Sequence, residues 1–411
     1  MSNNGLEVAD ILRLYGEAYR QEVGHLSSIE QRVIRDLTLC RTSELGGHLY
    51  ACDQCGVIIE RYNSCRNRHC PKCQALERAR WLEKREQELL PVPYFHLVFT
   101  VPHSLNPLFL ADPKALYNLL FRSSAQALSQ LALDPKRLGA RIGFLSVLHS
   151  WGQRMELHPH THVIVPGGGL SIDGEKWVAS RPRFFVRVEP LAKLFRGKFL
   201  DAVKQAAQQH LSIFPRRLDP QQAHSAYQKW LDELYSTPWV VYSKPPFGGA
   251  SGGLNYLARY THRVAISNYR LIGLEGDRVI FRWKDYRAGG EVKTTSLDAT
   301  EFIRRFVMHV LPPGFQRIRY YGLFANRYRS VNLERCRRAL GVTSTATEEA
   351  EPDDDAEPAQ EESWEEELER LTGVDPLKCP VCGEGRLLLL ETVPSLEELL
   401  SQAARAPPEG R

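Results

Sequence analysis

The sequence predicts an α+β fold in three parts: a small cysteine-rich N-terminal module, a mixed domain whose antiparallel sheet is flanked by helices, and a disordered acidic tail. Three observations predict it. Six of the nine cysteines fall between Cys40 and Cys73. From Tyr94 onward, β-branched and aromatic runs mix with amphipathic helices, and hairpins stand where a regular βαβ succession would need crossovers. From Thr343 to Glu369 the composition is dominated by Glu, Asp, Ala, Pro, Ser and Thr. The expected boundaries are 1–92, 93–335 and 336–411.

The elements follow in order. Spaced apolar residues at Leu6, Ile11, Leu12, Leu14, Val33 and Ile34 predict short amphipathic helices before the cysteines. Gln74–Leu90 reads as a helix stopped by Pro91-Val-Pro93. Tyr94–Val101 reads as a strand, Pro113–Leu133 as a helix, and Arg141–Ser150 with Leu157–Val165 as two strands on a short polar connection, closed by Gly167-Gly-Gly169. Pro190–Leu211 and Gln221–Leu234 read as helices, Trp239–Ser243 as a strand and Leu254–Arg263 as a helix. Ile266–Leu274 and Arg278–Trp283 form a hairpin around Glu275-Gly276-Asp277. Glu291–Ser296 adds a strand, and Ala299–Val310 a helix stopped by Pro312-Pro313. A short ordered element is expected near Cys379–Glu391.

Charge narrows the function. The formal net charge is +4, but residues 341–411 hold 19 acidic and 5 basic side chains, leaving a net +18 on residues 1–340. So basic a body favours a polyanionic partner through phosphate neutralisation and counterion release. No apolar run approaches the ~20 residues that span a bilayer, and Met1–Glu7 lacks the basic start of a signal peptide. A cytoplasmic protein is the expectation, with no membrane partner.

In a reducing compartment, clustered cysteines read as metal ligands before disulfides. Cys52-Asp-Gln-Cys55 and Cys70-Pro-Lys-Cys73 are two knuckles whose thiolates would make one tetrahedral zinc site. Cys40, His48, Cys65 and His69 are further candidates, enough for a second ion. Four filled positions leave none for water, so the role is structural. Arg61, Arg66, Arg68 and Lys72 around the knuckles suit DNA contacts. Cys379-Pro-Val-Cys382 is half a site, with Cys336 a remote candidate helper. Arg317, Arg319, Tyr320, Tyr321, Arg327, Tyr328 and Arg329 interleave bases and aromatics, as either a single-strand track or ordinary packing would.

Leu157-His-Pro-His-Thr-His-Val-Ile-Val165 places His158, His160 and His162 on one strand face. Two imidazoles from one strand can grip a divalent ion and leave positions for substrate oxygens. Pro159 makes His160 and His162 the firmer pair, with Gln153 or His158 as third ligand. Tyr256 and Tyr260, four apart, share a helix face. Each is a candidate nucleophile if a cation activates its phenol, and Arg259, His262 and Arg263 supply positive character.

Ser64-Cys-Arg-Asn-Arg-His-Cys-Pro-Lys-Cys73, Pro93-Tyr-Phe-His-Leu-Val-Phe-Thr100, His158-Pro-His-Thr-His162 with Pro166-Gly-Gly-Gly169, and Tyr256-Leu-Ala-Arg-Tyr-Thr-His-Arg-Val-Ala-Ile-Ser267 occur in that order. Arg304-Arg-Phe306 and Gly314-Phe-Gln-Arg-Ile-Arg319 follow. The set resembles the rolling-circle transposases of the insertion-sequence-ninety-one family, within the wider HUH (His-hydrophobic-His) endonucleases, over residues 10 to 330. The resemblance implies that His160 and His162 hold Mg2+ or Mn2+, and that Tyr256 and Tyr260 are the nucleophiles. It implies metal-dependent nicking and strand transfer of single-stranded DNA through 5′-phosphotyrosine links. Arg259 and Arg263 join the DNA-binding set. Thr161 departs from the pattern, since the middle residue is not plainly apolar. No ATP-binding loop is present, so host helicase and replication machinery are expected partners. A plasmid replication initiator or relaxase, or a non-catalytic zinc-finger regulator, are the alternatives.

Overall fold

A computed structural model describes residues 5–208, 220–244, 261, 263–342 and 362–405. The chain opens with α1 (Val8–Val23) and α2 (Ser28–Leu39). Ser27 and Glu30 close a capping box on α2, satisfying N–H groups that the first turn cannot. The hairpin β1 (Gly47–Cys52) and β2 (Ile58–Tyr62) comes next, then α3 (Gln74–Glu86) and β3 (Tyr94–Thr100). After α4 (Asn106–Ala111), α5 (Pro113–Leu133) starts where Asp112 caps the Ala115 N–H and Pro113 needs no donor of its own. There follow β4 (Gly143–Trp151), β5 (Leu157–Pro166), the small hairpin β6 (Gly168–Leu170) and β7 (Trp177–Ala179), α6 (Val188–Gln208), α7 (Pro220–Ser236) and β8 (Val240–Lys244). The meander β9 (Leu271–Glu275), β10 (Arg278–Asp285) and β11 (Glu291–Asp298) leads into α8 (Ala299–Val307). The chain continues through β12 (Ile318–Gly322), α9 (Arg329–Ala339), α10 (Trp364–Thr372), β13 (Leu387–Val393) and α11 (Leu396–Arg405). The expected helix 254–263, with Tyr256, Arg259 and Tyr260, lies outside the described residues apart from Thr261 and Arg263, as does most of the acidic stretch, residues 343–361.

The fold is α+β with antiparallel sheets, divided into two compact units that are not consecutive segments. One comprises residues 1–81, 262–310 and 351–411; the other comprises 82–261 and 311–350. The first unit holds two three-stranded sheets, β13-β1-β2 and β11-β10-β9. Its α8 packs on α1 and on the β9–β11 meander, with Phe281 edge-on to Phe302. Residues 362–405 thus hold α10, β13 and α11, a longer ordered stretch than the short element the sequence predicts near Cys379–Glu391. Ser363 and Glu366 cap α10, and β13 becomes a strand of the N-terminal sheet because β1 offers it a free edge.

The second unit is built on one five-stranded sheet in the order β12-β4-β5-β3-β8, every neighbour antiparallel. Strand alternation sorts its residues. Phe95, Leu97 and Phe99 on β3 share a face with Thr161, Val163 and Val165 on β5. Phe99 meets Phe195 of α6 edge-on at 5.2 Å, and α5 packs on α6 and β5. The opposite face carries His96, His149, His160 and His162. A glycine turn ends β5: a Cβ on Gly168 (φ 153°) would lie 2.5 Å from the Trp177 ring nitrogen, so only glycine lets the chain turn there.

Candidate metal and DNA-processing sites

The cysteines assemble into two four-thiol groups, and not in the pairing the spacing suggests. Cys40, Cys65, Cys70 and Cys73 form one; Cys52, Cys55, Cys379 and Cys382 form the other. The two N-terminal knuckles thus serve different centres. The β1–β2 hairpin carries Cys52 and Cys55 at its turn, while Cys70 and Cys73 meet Cys40 at the end of α2. His48 and His69 join neither group, although both are near in sequence; the His69 N–H instead bonds Asn67 Oδ1 at 2.9 Å. Cys336 is a core residue among Leu90, Leu170, Leu323 and Leu333, and burial pushes its thiol up to about 11.

Sulfur separations test what these groups can hold. In the first, Cys40–Cys73, Cys65–Cys73 and Cys40–Cys70 are each 3.6 Å apart. Four sulfurs at the usual Zn–S length around a tetrahedral ion lie about 3.8 Å from one another, whereas a disulfide needs about 2.05 Å. The thiols lie within hydrogen-bonding reach of one another: hydrogen bonds from Cys65 and Cys70 bring Cys40 down to about 7, and hydrogen bonding with Cys40 lowers Cys73 and raises Cys65 and Cys70. The group fits zinc.

The histidine face supplies a third group. His149, His160 and His162 are buried with their ring nitrogens within 4.8 Å of one another. His160 Nε2 and His162 Nε2 are 3.1 Å apart. Two nitrogens bound to one ion at ~2.1 Å stand about 3.0–3.4 Å apart, so the pair can share a cation. The other ring nitrogens are engaged: His160 Nδ1 lies 2.6 Å from the His158 carbonyl oxygen, and His162 Nδ1 lies 2.8 Å from His96 Nε2. Such partners orient an imidazole and hold Nε2 toward the site. Burial, with Lys244 and His160 nearby, lowers His96 to about 3, so it stays neutral as a partner must.

The sequence offered Gln153 or His158 as the third member. The tertiary arrangement brings His149 instead, directly across the ladder from His160. A register shift between His149 and Trp151 accommodates Pro159, and His149 stacks on Trp151 at 4.7 Å. His158 turns toward His103, ring centres 5.2 Å apart, and Gln153 lies in the 152–156 turn. The register shift itself brings His149 there: counting back from Trp151 opposite Leu157 without it would set Leu148 opposite His160.

Thr161 sits on the opposite face, fully buried, and its hydroxyl has no hydrogen-bond partner. An unpaired buried hydroxyl costs about 1–3 kcal/mol. Thr161→Val is therefore expected to raise the urea midpoint, by about 1 kcal/mol of stability, without disturbing the histidines. A lowered midpoint would show that the hydroxyl is satisfied.

The expected DNA contacts divide. Arg66 is exposed in left-handed backbone (φ 51°), while Arg68 is half-buried and its guanidinium pKa is lowered by that burial. Lys72 is neutralised by Glu7 at 2.5 Å, and Arg61 donates to the Pro376 carbonyl at 2.5 Å while lying over Tyr50. Arg263 is half-buried. Along 317–329, Arg317, Arg319, Tyr320 and Arg329 are held in packing, whereas Arg327 and Tyr328 are exposed. Arg317 bonds the Thr261 carbonyl, Arg319 bonds Asn118 and covers Phe121, and Arg329 lies over Tyr320 and pairs with Glu88.

Comparison with known proteins places the chain among transposases. A family model described as "Putative transposase" matches residues 143–331, which includes the histidine group, and one described as "Transposase zinc-binding domain" matches residues 11–101. The chain is 46% identical over 391 residues to "Putative transposase y4qJ" of Sinorhizobium fredii, covering 95% of this chain and 96% of that one. It is 28% identical over 369 residues to "Transposase for insertion sequence element IS801" of Pseudomonas savastanoi pv. phaseolicola, covering 89% and 85%. The chain belongs to the insertion-sequence-ninety-one family of transposases, those with a zinc-binding domain. No solved structure matches it. Among the described residues, no helix is long and apolar enough to cross a membrane.

Proposed function

We propose that this transposase moves DNA by a rolling-circle route, nicking and rejoining single strands through 5′-phosphotyrosine links. The observation that carries the reading is the convergence of His149, His160 and His162 on a rigid sheet, with His96 and the His158 carbonyl behind them. The three imidazoles would hold one divalent cation, Mg2+ or Mn2+, which when bound polarises the scissile phosphate. Among the described residues, no carboxylate belongs to the group. Mg2+ favours oxygen ligands, so affinity without DNA is expected to be low, with Mn2+ the more effective ion.

Tyr256 and Tyr260 are the proposed nucleophiles. The phenol of one gives up its proton as its oxygen forms a bond to phosphorus, the bond from phosphorus to the 3′ oxygen breaks, and that oxygen takes up a proton to become the free 3′-OH. The phosphodiester energy is kept in the tyrosyl link, so no ATP is required. The second tyrosine repeats the step at the other end or at the target. Host helicase and replication machinery would extrude and copy the strand, in the bacterial cytoplasm. Arg66 and Arg68 on the zinc module, and Arg259 and Arg263, are proposed DNA contacts. Lys72, which pairs with Glu7, is a further proposed DNA contact.

The test is incubation of the purified chain with single-stranded oligonucleotides spanning the element's ends. An adduct that survives denaturing electrophoresis, forms with Mn2+ and fails to form when chelator is present from the start is expected. Specific DNA binding with no adduct under either metal would instead indicate a non-catalytic regulator.

A further inference from the structure

The thiols of Cys52, Cys55, Cys379 and Cys382 lie outside what the zinc-binding family model can account for, since that model ends at residue 101 and two of these cysteines lie far beyond it. Their geometry is that of two matched knuckles. In each, a glycine with positive φ follows the second cysteine: Gly56 at 70° and Gly383 at 71°. In each, that glycine's N–H bonds the carbonyl of the first cysteine at 3.0 Å, Gly56 to Cys52 and Gly383 to Cys379. Backbone N–H groups also point at sulfur, Cys55 to Cys52 Sγ at 3.5 Å and Gly385 to Cys382 Sγ at 3.3 Å. Across the group, Cys52–Cys382 is 3.7 Å and Cys55–Cys379 3.8 Å, the separation of about 3.8 Å that tetrahedral zinc requires.

The surroundings are built to bring the second knuckle to the first. Strand β13 pairs with β1 so that Leu387 lies opposite Cys52. The Asp53 N–H bonds the Arg386 carbonyl at 3.0 Å, and the Arg386 N–H bonds Asp53 Oδ1 at 2.8 Å. Gly385 has no Cβ because one would lie 2.4 Å from Cys52 Sγ. Farther out, Arg61 reaches the Pro376 carbonyl, and Arg80 makes a two-pronged contact with Glu367.

We infer that Cys52, Cys55, Cys379 and Cys382 form a second structural zinc centre, a clamp that fastens the C-terminal segment to the N-terminal module. All four positions are filled by protein, so the ion takes no part in catalysis. Binding releases to solvent whatever protons the four thiols carry. The ends of the chain are thereby locked into one folding unit, and residues 362–393 become part of the zinc module rather than an appendage. The inference does not depend on the nicking chemistry.

Metal analysis of the full-length protein tests it. The parent chain is expected to carry about two Zn2+ per molecule, and the Cys379→Ser/Cys382→Ser variant about one. Limited proteolysis should cut the variant between residues 373 and 386 while the parent resists. Because that variant could misfold, Gly385→Val provides a second probe: it retains all four thiols but crowds Cys52, and should lose the same ion. One zinc in the parent, or two retained in the serine variant, would overturn the assignment.

Discussion

Replacing both Tyr256 and Tyr260 with Phe is expected to abolish the covalent protein–DNA adduct, lowering the cleavage rate by ~10⁴-fold or more, the scale seen when a nucleophile is deleted from a site whose other groups remain. Phe retains the ring and removes only the oxygen that would attack phosphorus. Water has no comparable positioning, so the residual rate should be near background. Each single variant should keep one of the two strand-transfer steps: it would form an adduct with one oligonucleotide but fail to join two ends. The readout is the fraction of labelled oligonucleotide retained with protein on a denaturing gel. An adduct at the parental rate in the double variant would assign the nucleophile elsewhere.

The second large effect concerns the imidazoles. His160→Ala and His162→Ala are each expected to slow nicking by at least ~10²-fold, the cost of losing one preorganised group that stabilises developing charge. Affinity for single-stranded DNA should change little, because phosphate contacts rather than the histidines carry it. His149→Ala should match them, whereas Gln153→Ala should stay within a few-fold of the parent. Single-turnover nicking at fixed Mn2+ separates these outcomes. If Gln153→Ala proves as damaging as His160→Ala and His149→Ala is mild, the third member of the group is Gln153 after all.

Much of this was legible along the chain. Pro113–Leu133 matches α5 to the residue, because Asp112 and Pro113 announce a helix start by local chemistry alone. The Glu275-Gly276-Asp277 turn marked the β9–β10 hairpin for the same reason. His160 and His162 could be placed on one face because the strand period of two is a property of the local backbone. The β1–β2 hairpin and the helix Arg329–Ala339 were not foreseen. The first is masked by cysteines whose chemistry drew the reading. The second mixes Arg, Asn and Glu with few apolar residues, and buries little besides Leu333 and Cys336.

The sequence by itself determined the residue types available for metal binding, the alternation of histidines on β5, the separation of a basic body from an acidic C-terminal stretch, and the family to which the chain belongs. Which thiols meet was decided only by the tertiary structure. Knuckle spacing suggested that Cys52 and Cys55 share an ion with Cys70 and Cys73, yet strand pairing sends the first knuckle to Cys379 and Cys382, 330 positions from Cys52 to Cys382. The same holds for His149, which reaches the site through hairpin register. Local spacing fixes where a side chain points within its own element, but a metal group is closed by the pairing of distant strands. Closing a long loop costs only logarithmically more than closing a short one, so proximity along the chain is a poor guide to partnership in space.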